Sequence, residues 1–218
     1  MYKAVILDFD GTLIDSISAV ERHLFSAATR IGLSVDPIRR LRFNAYFRIE
    51  HKHNFKEIIS ELWPHADTTR LRDEWQRVEV KEGYPLTIGA EYALAELRAM
   101  DVSLHVLTSR GNSVYDLIDS HGLRSLFTSV HSLFDAPHNK PDPRCARDVL
   151  AVLEGLDIAR NETVYVGDTH HQDGVLATAL GIPFIGITTG MHSREEFRGA
   201  GHADEMIIDT LLELLEHF

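Results

Sequence analysis

The chain has 218 residues, with 22 Lys+Arg against 33 Asp+Glu and a formal net charge of −11. That balance argues against nucleic acid or an anionic membrane as the main partner, since both call for clustered positive charge. The length suits one large domain or two unequal ones, and a hydrophobic share of 44% can fill a sizeable core. A single cysteine, Cys145, excludes an internal disulfide and a thiolate zinc set. The opening MYKAVILDFDGT carries no signal-peptide pattern, and no run approaches the roughly 18–20 apolar residues of a membrane span. The expectation is a soluble, cytoplasmic globular protein.

In chain order, Ala4-Val5-Ile6-Leu7 is a short continuous apolar run, the pattern of a strand covered on both faces. From about Ile17 to Lys81 there is only helical periodicity, punctuated by Gly32, Asp36-Pro37 and Trp63-Pro64. Such a stretch is too long for a loop. It predicts an all-helical subdomain, residues 16–82, inserted into a core of residues 1–15 and 83–218. Linkers are expected near Asp15-Ser16 and between Lys81 and Tyr84. Beyond it, apolar runs at residues 102–107, 127–133, 163–166, 183–187 and 205–208 alternate with helical patterns such as Ala90-Ala93-Leu94-Leu97 and Val149-Leu150-Leu153. The alternation predicts an α/β fold with a doubly wound, mostly parallel, Rossmann-like sheet.

Four of these strand ends carry chemistry. The first is Asp8-Phe9-Asp10-Gly11-Thr12, where residues two apart face one side, so Asp8 and Asp10 can share a site. In open α/β sheets that position borders the ligand crevice. Two carboxylates there suit an ionised nucleophile and a proton donor and acceptor. The second is Leu107-Thr108-Ser109-Arg110, offering a hydroxyl and backbone N–H groups to an anion. The third is Asn139-Lys140-Pro141-Asp142-Pro143, a lysine ahead of a helix. The fourth is Val166-Gly167-Asp168-Thr169 followed by Asp173, two acids beside a buried strand, costly unless paired. Each alone is also what an ordinary turn or solvated loop would show.

Taken together and in order, DFDGTL, Thr108, NKPDP and GDTHHQD resemble the four motifs of the haloacid dehalogenase superfamily of phosphohydrolases. The region from GITTGMHSREEF onward and the helical insert resemble phosphoglycolate phosphatase-like members with a helical cap. The resemblance implies a Mg²⁺-dependent phosphatase acting on a small-molecule phosphate monoester, phosphoglycolate-like or a sugar phosphate. Asp8 would attack phosphorus and form an aspartyl-phosphate, with Asp10 as general acid and base. Thr108, Ser109 and Lys140 would hold the phosphoryl oxygens. Asp8, the Asp10 carbonyl, Asp168 and Asp173 would serve the metal. In one respect the chain departs from the family's spacing: four residues after Asp168 stands Gln172, so the second acid is assigned to Asp173, as an indirect metal contact or an orienter of Lys140. His170 and His171 read as solvent-facing.

Asp10 separates phosphatases and mutases from dehalogenases, which have no use for an acid there. A sugar-phosphate mutase of the β-phosphoglucomutase kind, a phosphonatase using Lys52 or Lys56, and a non-catalytic binding protein remain as alternatives. Within the cap, Arg39, Arg40, Arg42, Arg48, Lys52 and Lys56 stand against Glu50 alone, with His51 and His53 interleaved. This is either a solvated helix face or a source of substrate contacts, with Arg48 and Lys52 the candidates to meet a second anionic group. The cap would close over the site and exclude water. A monomer and a homodimer are equally compatible with the sequence. The acidity belongs to the core, where it would call for a metal cation beside an anionic substrate.

Overall fold

A computed structural model describes every residue except 50–53, 133–134 and 136–137. Six strands form one parallel sheet: β1 (Ala4–Leu7), β2 (Ser103–Leu107), β3 (Ser129–His131), β4 (Thr163–Gly167), β5 (Phe184–Ile187) and β6 (Ile207–Ile208). Their spatial order is β3-β2-β1-β4-β5-β6. This is the order of a doubly wound Rossmann-like sheet, with the chain reversing direction across the sheet at β1. Every residue of β1, β2, β4 and β5 is buried, which is why those segments read as mostly apolar, with Ser103, His105 and Thr163 as buried polar members.

The chain divides into two compact units, Met1–Asp15 with Leu86–Phe218, and Ser16–Pro85. The second unit contains α1 (Ser16–Arg30), α2 (Pro37–Asn44), α3 (Phe55–Leu62) and α4 (Thr68–Glu82), with no strand among its described residues. In α1, Ala19, His23, Leu24, Phe25, Ala27 and Ala28 are buried over most of the helix circumference, and α4 packs against it. Phe25 meets Phe43 and Trp63 edge-on at centroid distances of 5.9 and 5.7 Å, and the Trp63 indole N–H donates to Ser34 O at 2.8 Å. The helices begin where short polar side chains can cap them. Asp36, Asn54 and Asp67 accept from the backbone N–H groups of Arg39, Lys56 and Arg70.

The first unit adds α5 (Ala90–Ala99), α6 (Ser113–Ser120), α7 (Arg147–Gly155), α8 (Val175–Leu180) and α9 (Arg194–Gly199) to the sheet. On one side Ile6, Val149, Leu153, Tyr165, Leu176 and Phe197 form a continuous buried cluster. Two strands are shorter than their apolar runs suggest. Glu205 lies in the 3₁₀ turn Asp204–Met206, leaving Ile207 and Ile208 as the buried pair of β6. Phe127 lies outside β3, directly after the 3₁₀ turn Arg124–Leu126, and Leu133 falls outside the described residues. No described helix is long and apolar enough to cross a membrane.

Candidate active site

Parallel register aligns the strand ends. Leu7 pairs with Val106 on β2 and Val166 on β4, so the residues that follow emerge side by side at one edge of the sheet. The Asp8 N–H still donates to Val166 O at 2.9 Å, and the Thr108 N–H to His131 O at 3.0 Å. Asp8 is buried, Phe9 turns into the core, and Asp10 is half-buried on the same side as Asp8. Gly11 follows at φ 77°, where a Cβ would stand 2.3 Å from Asp168 Oδ2. The turn and the close approach of Asp168 both require glycine there.

Lys140 joins the first and last of these strand ends. Its Nζ donates to Asp8 Oδ1 at 2.6 Å and to Asp173 Oδ1 at 2.7 Å, and its side chain is 3% exposed. Asp173 is fixed from its other side. Its Oδ2 accepts from the Thr169 N–H at 3.1 Å and the Thr169 hydroxyl at 2.9 Å, while the Tyr165 hydroxyl donates to Oδ1 at 3.3 Å. A π-helical turn, His170–Gly174, swings Asp173 back beneath β4, and Gln172 stays half-exposed. Asp168 Oδ2 accepts from the Met191 N–H at 2.8 Å.

Asp8, Asp168 and Asp173 are all buried, and each offers a carboxylate oxygen within 4.8 Å of the others. The Asp8 carboxyl is raised to about 7, the balance of burial, which pushes it up, of Lys140, which pulls it down, and of Asp173, which raises it further. Burial likewise pushes Asp168 well up, with Asp8 and Asp173 adding to the effect. Burial alone would lower Lys140, but the charges of Asp173 and Asp8 hold its ammonium well above the ordinary range. Three buried carboxylates with one ammonium are short of positive charge. A hard divalent cation with oxygen ligands fits this donor set.

Thr108 is buried and Ser109 exposed. The Thr108 hydroxyl oxygen accepts from the Arg110 N–H at 3.0 Å, which turns the loop after β2 toward the loop after β1. Sequence reasoning passed over Arg110, whose guanidinium forks onto Asp10 with Nε to Oδ2 at 2.9 Å and Nη2 to Oδ1 at 2.5 Å. The segment after β5, marked in the sequence only by its resemblance, adds two contacts: the Thr189 hydroxyl donates to Gly11 O at 2.6 Å and the His192 N–H to Asp168 O at 3.1 Å. No motif marks either contact, because each joins loops far apart in the chain. His170 departs from its solvent-facing expectation: it is half-buried, with Nδ1 2.8 Å from His202 Nε2 and its N–H donating to His192 Nδ1 at 3.0 Å. His171 is exposed.

In the helical unit, Arg39 is held by Asp36 and by Leu62 O, and Arg40 by Glu21 while lying 4.6 Å over the Phe25 ring. Both therefore serve that unit's own packing. Lys52 lies outside the described residues, as do Glu50, His51 and His53. Of Arg48 only the backbone, in the π-helical turn Ala45–Ile49, is described.

A parallel Rossmann-like sheet with a lysine-braced group of carboxylates at its strand ends defines a class of α/β hydrolases. The chain belongs to the haloacid dehalogenase-like hydrolases, whose family model matches residues 5–187. It is 28% identical over 221 residues to the protein named “Probable phosphatase IndB” of Dickeya dadantii, covering 99% of this chain and 93% of that one. It is 27% identical to a phosphoglycolate phosphatase of Neisseria meningitidis, covering 86% and 81% of the two chains. Its fold matches that of a HAD-superfamily hydrolase, subfamily IA, variant 1, from Geobacter sulfurreducens, with a TM-score of 0.72 at 22% identity over 99% and 96% of the two chains.

Proposed function

We propose that the protein is a Mg²⁺-dependent phosphatase that hydrolyses a small-molecule phosphate monoester through an aspartyl-phosphate. The observation that carries this reading is the Lys140 ammonium shared by Asp8 and Asp173, with Asp168 beside them. Relatives named as phosphatases, one of them a phosphoglycolate phosphatase, support the same reaction class.

Asp8, Asp168 and the backbone carbonyl of Asp10 would hold the cation, with Asp173 as an indirect metal contact or the orienter of Lys140. When bound, the cation neutralises the carboxylate group and offsets the charge of the phosphoryl oxygens. Lys140 holds Asp8 Oδ1, and attack on phosphorus is assigned to Oδ2. The P–O bond to the alcohol breaks as the Asp8 O–P bond forms, and Asp10 gives its proton to the departing oxygen. Asp10 then takes a proton from water, whose oxygen attacks phosphorus and returns Asp8 as a carboxylate with release of inorganic phosphate. Thr108, Ser109 and Lys140 orient the phosphoryl oxygens, positioning being most of the work in this chemistry. The helical unit Ser16–Pro85 is assigned the choice of alcohol.

The test is phosphate release from an aryl phosphate with and without Mg²⁺. EDTA is expected to abolish it, and Asp8→Asn to lower kcat by about 10³-fold or more. Full activity in Asp8→Asn would remove the nucleophile assignment.

A further inference from the structure

We propose that Arg110 selects substrates bearing a carboxylate next to the phosphoryl ester, by exchanging the Asp10 carboxylate for that of the substrate. The inference deepens the phosphatase reading and rests on it.

The argument begins with the two loops. Asp10 follows β1 and Arg110 follows β2, and the parallel pairing of these strands brings both loops to the same edge of the sheet. There the guanidinium binds Asp10 through two parallel N–H···O contacts, at 2.9 and 2.5 Å. The fork occupies both oxygens of the carboxylate that must meet the leaving oxygen. Asp10 can do so only after release.

The pair is within reach of solvent and substrate. The Asp10 side chain is 35% exposed and that of Arg110 is 16% exposed, against 3% for Lys140. Breaking a two-point fork outright would cost its hydrogen bonds, whereas replacing one carboxylate in it with another keeps them. A planar guanidinium recognises a carboxylate by shape as well as charge, which an ammonium does not. A phosphate ester with a carboxylate one carbon from the ester oxygen presents an anion close to the phosphoryl group. It would take the fork from Asp10 as it binds and free Asp10 to protonate the leaving oxygen. An ester lacking the carboxylate would have to break the Arg110–Asp10 pair with nothing in exchange. Selectivity for the carboxylate then arises in the core unit, from a residue two positions after Thr108, and the remainder of the alcohol is left to the helical unit.

The experiment compares 2-phosphoglycolate, its amide and ethyl phosphate with Mg²⁺, for wild-type protein, Arg110→Met and Arg110→Lys. Wild-type protein is expected to favour the acid over the amide by at least tenfold in kcat/KM. Arg110→Met is expected to reduce that ratio tenfold or more, chiefly through KM for the acid, and Arg110→Lys to restore part of it. Equal wild-type kcat/KM for acid and amide overturns the inference without any variant, so it stays testable if Arg110→Met fails to fold. A Met variant that slows all three esters by one common factor also overturns it. Wild-type protein that releases phosphate from the aryl phosphate but from none of these three overturns the inference and leaves the phosphatase reading standing, whereas inactivity on the aryl phosphate as well overturns both.

Discussion

At Lys140 one ammonium stands between two carboxylates, 2.6 Å from Asp8 and 2.7 Å from Asp173, in a site closed to water. Removing one partner of a buried ion pair is worse than never having it, because the remaining charges lose both water and counterion. Lys140→Met is therefore expected to lower metal-free stability by about 3 kcal/mol, read by urea denaturation in EDTA. Excess Mg²⁺ should recover part of that loss without restoring turnover. Gly190 shows the opposite constraint, that of a missing side chain. A methyl group there would stand 2.0 Å from Asp168 Oδ2, beside the Met191 N–H that holds this oxygen. Gly190→Ala is expected to weaken Mg²⁺ binding by about tenfold or more with the circular dichroism spectrum unchanged, measured by calorimetric titration. The carboxylates and the lysine were legible from their motifs. Gly190 and Arg110 were not, because what they touch lies in other loops.

At the scale of elements, β2 contains a pH-sensitive residue unrelated to the proposed chemistry. His105 is fully buried in mid-strand, with Nε2 3.0 Å from Ser103 Oγ and Nδ1 2.8 Å from Ser129 Oγ on β3. Burial, with help from His131 and Arg98, lowers its pKa to about 4. Between about pH 6.5 and 4 the unfolded chain binds a proton that the folded chain refuses, so stability falls as pH falls through that window. The loss from this one residue amounts to about 3 kcal/mol by pH 4. His105→Gln keeps polar contacts to the serines without titrating. It is expected to lose less stability than wild type between pH 7 and 4, compared by thermal melts. The strands themselves were legible to different degrees. The runs at β1, β2 and β4 are mostly apolar because both faces are covered, with Ser103, His105 and Thr163 as buried polar exceptions, whereas β6 is set by a 3₁₀ turn that takes Glu205 out of its run.

For the whole molecule, the net charge of −11 becomes a statement about the metal. The carboxylates of Asp8, Asp168 and Asp173 gather in one buried place, where burial raises Asp8 and Asp168. A ligand that binds only the folded protein stabilises it by about 2.7 kcal/mol at 100 times its Kd. Mg²⁺ is thus expected to raise Tm by several degrees, EDTA to reverse the rise, and Asp168→Asn to abolish it. An unchanged Tm on adding millimolar Mg²⁺ would argue against a structural metal site at these carboxylates.

The sequence by itself determined the alternation of strands and helices, the long helical insert and the acidic and basic residues at four strand ends. It could do so because burial on both faces, helical period and strand-end motifs are local patterns. Only the tertiary structure decided which of those residues meet. Parallel register laid β1 between β2 and β4, a π-helical turn put Asp173 on both Lys140 and Thr169, and two neighbouring loops set Arg110 on Asp10. Apart from the local one to Thr169, these contacts join residues far apart in the chain. Side-chain reach and strand pairing fix them, and neither is written in the spacing of a motif.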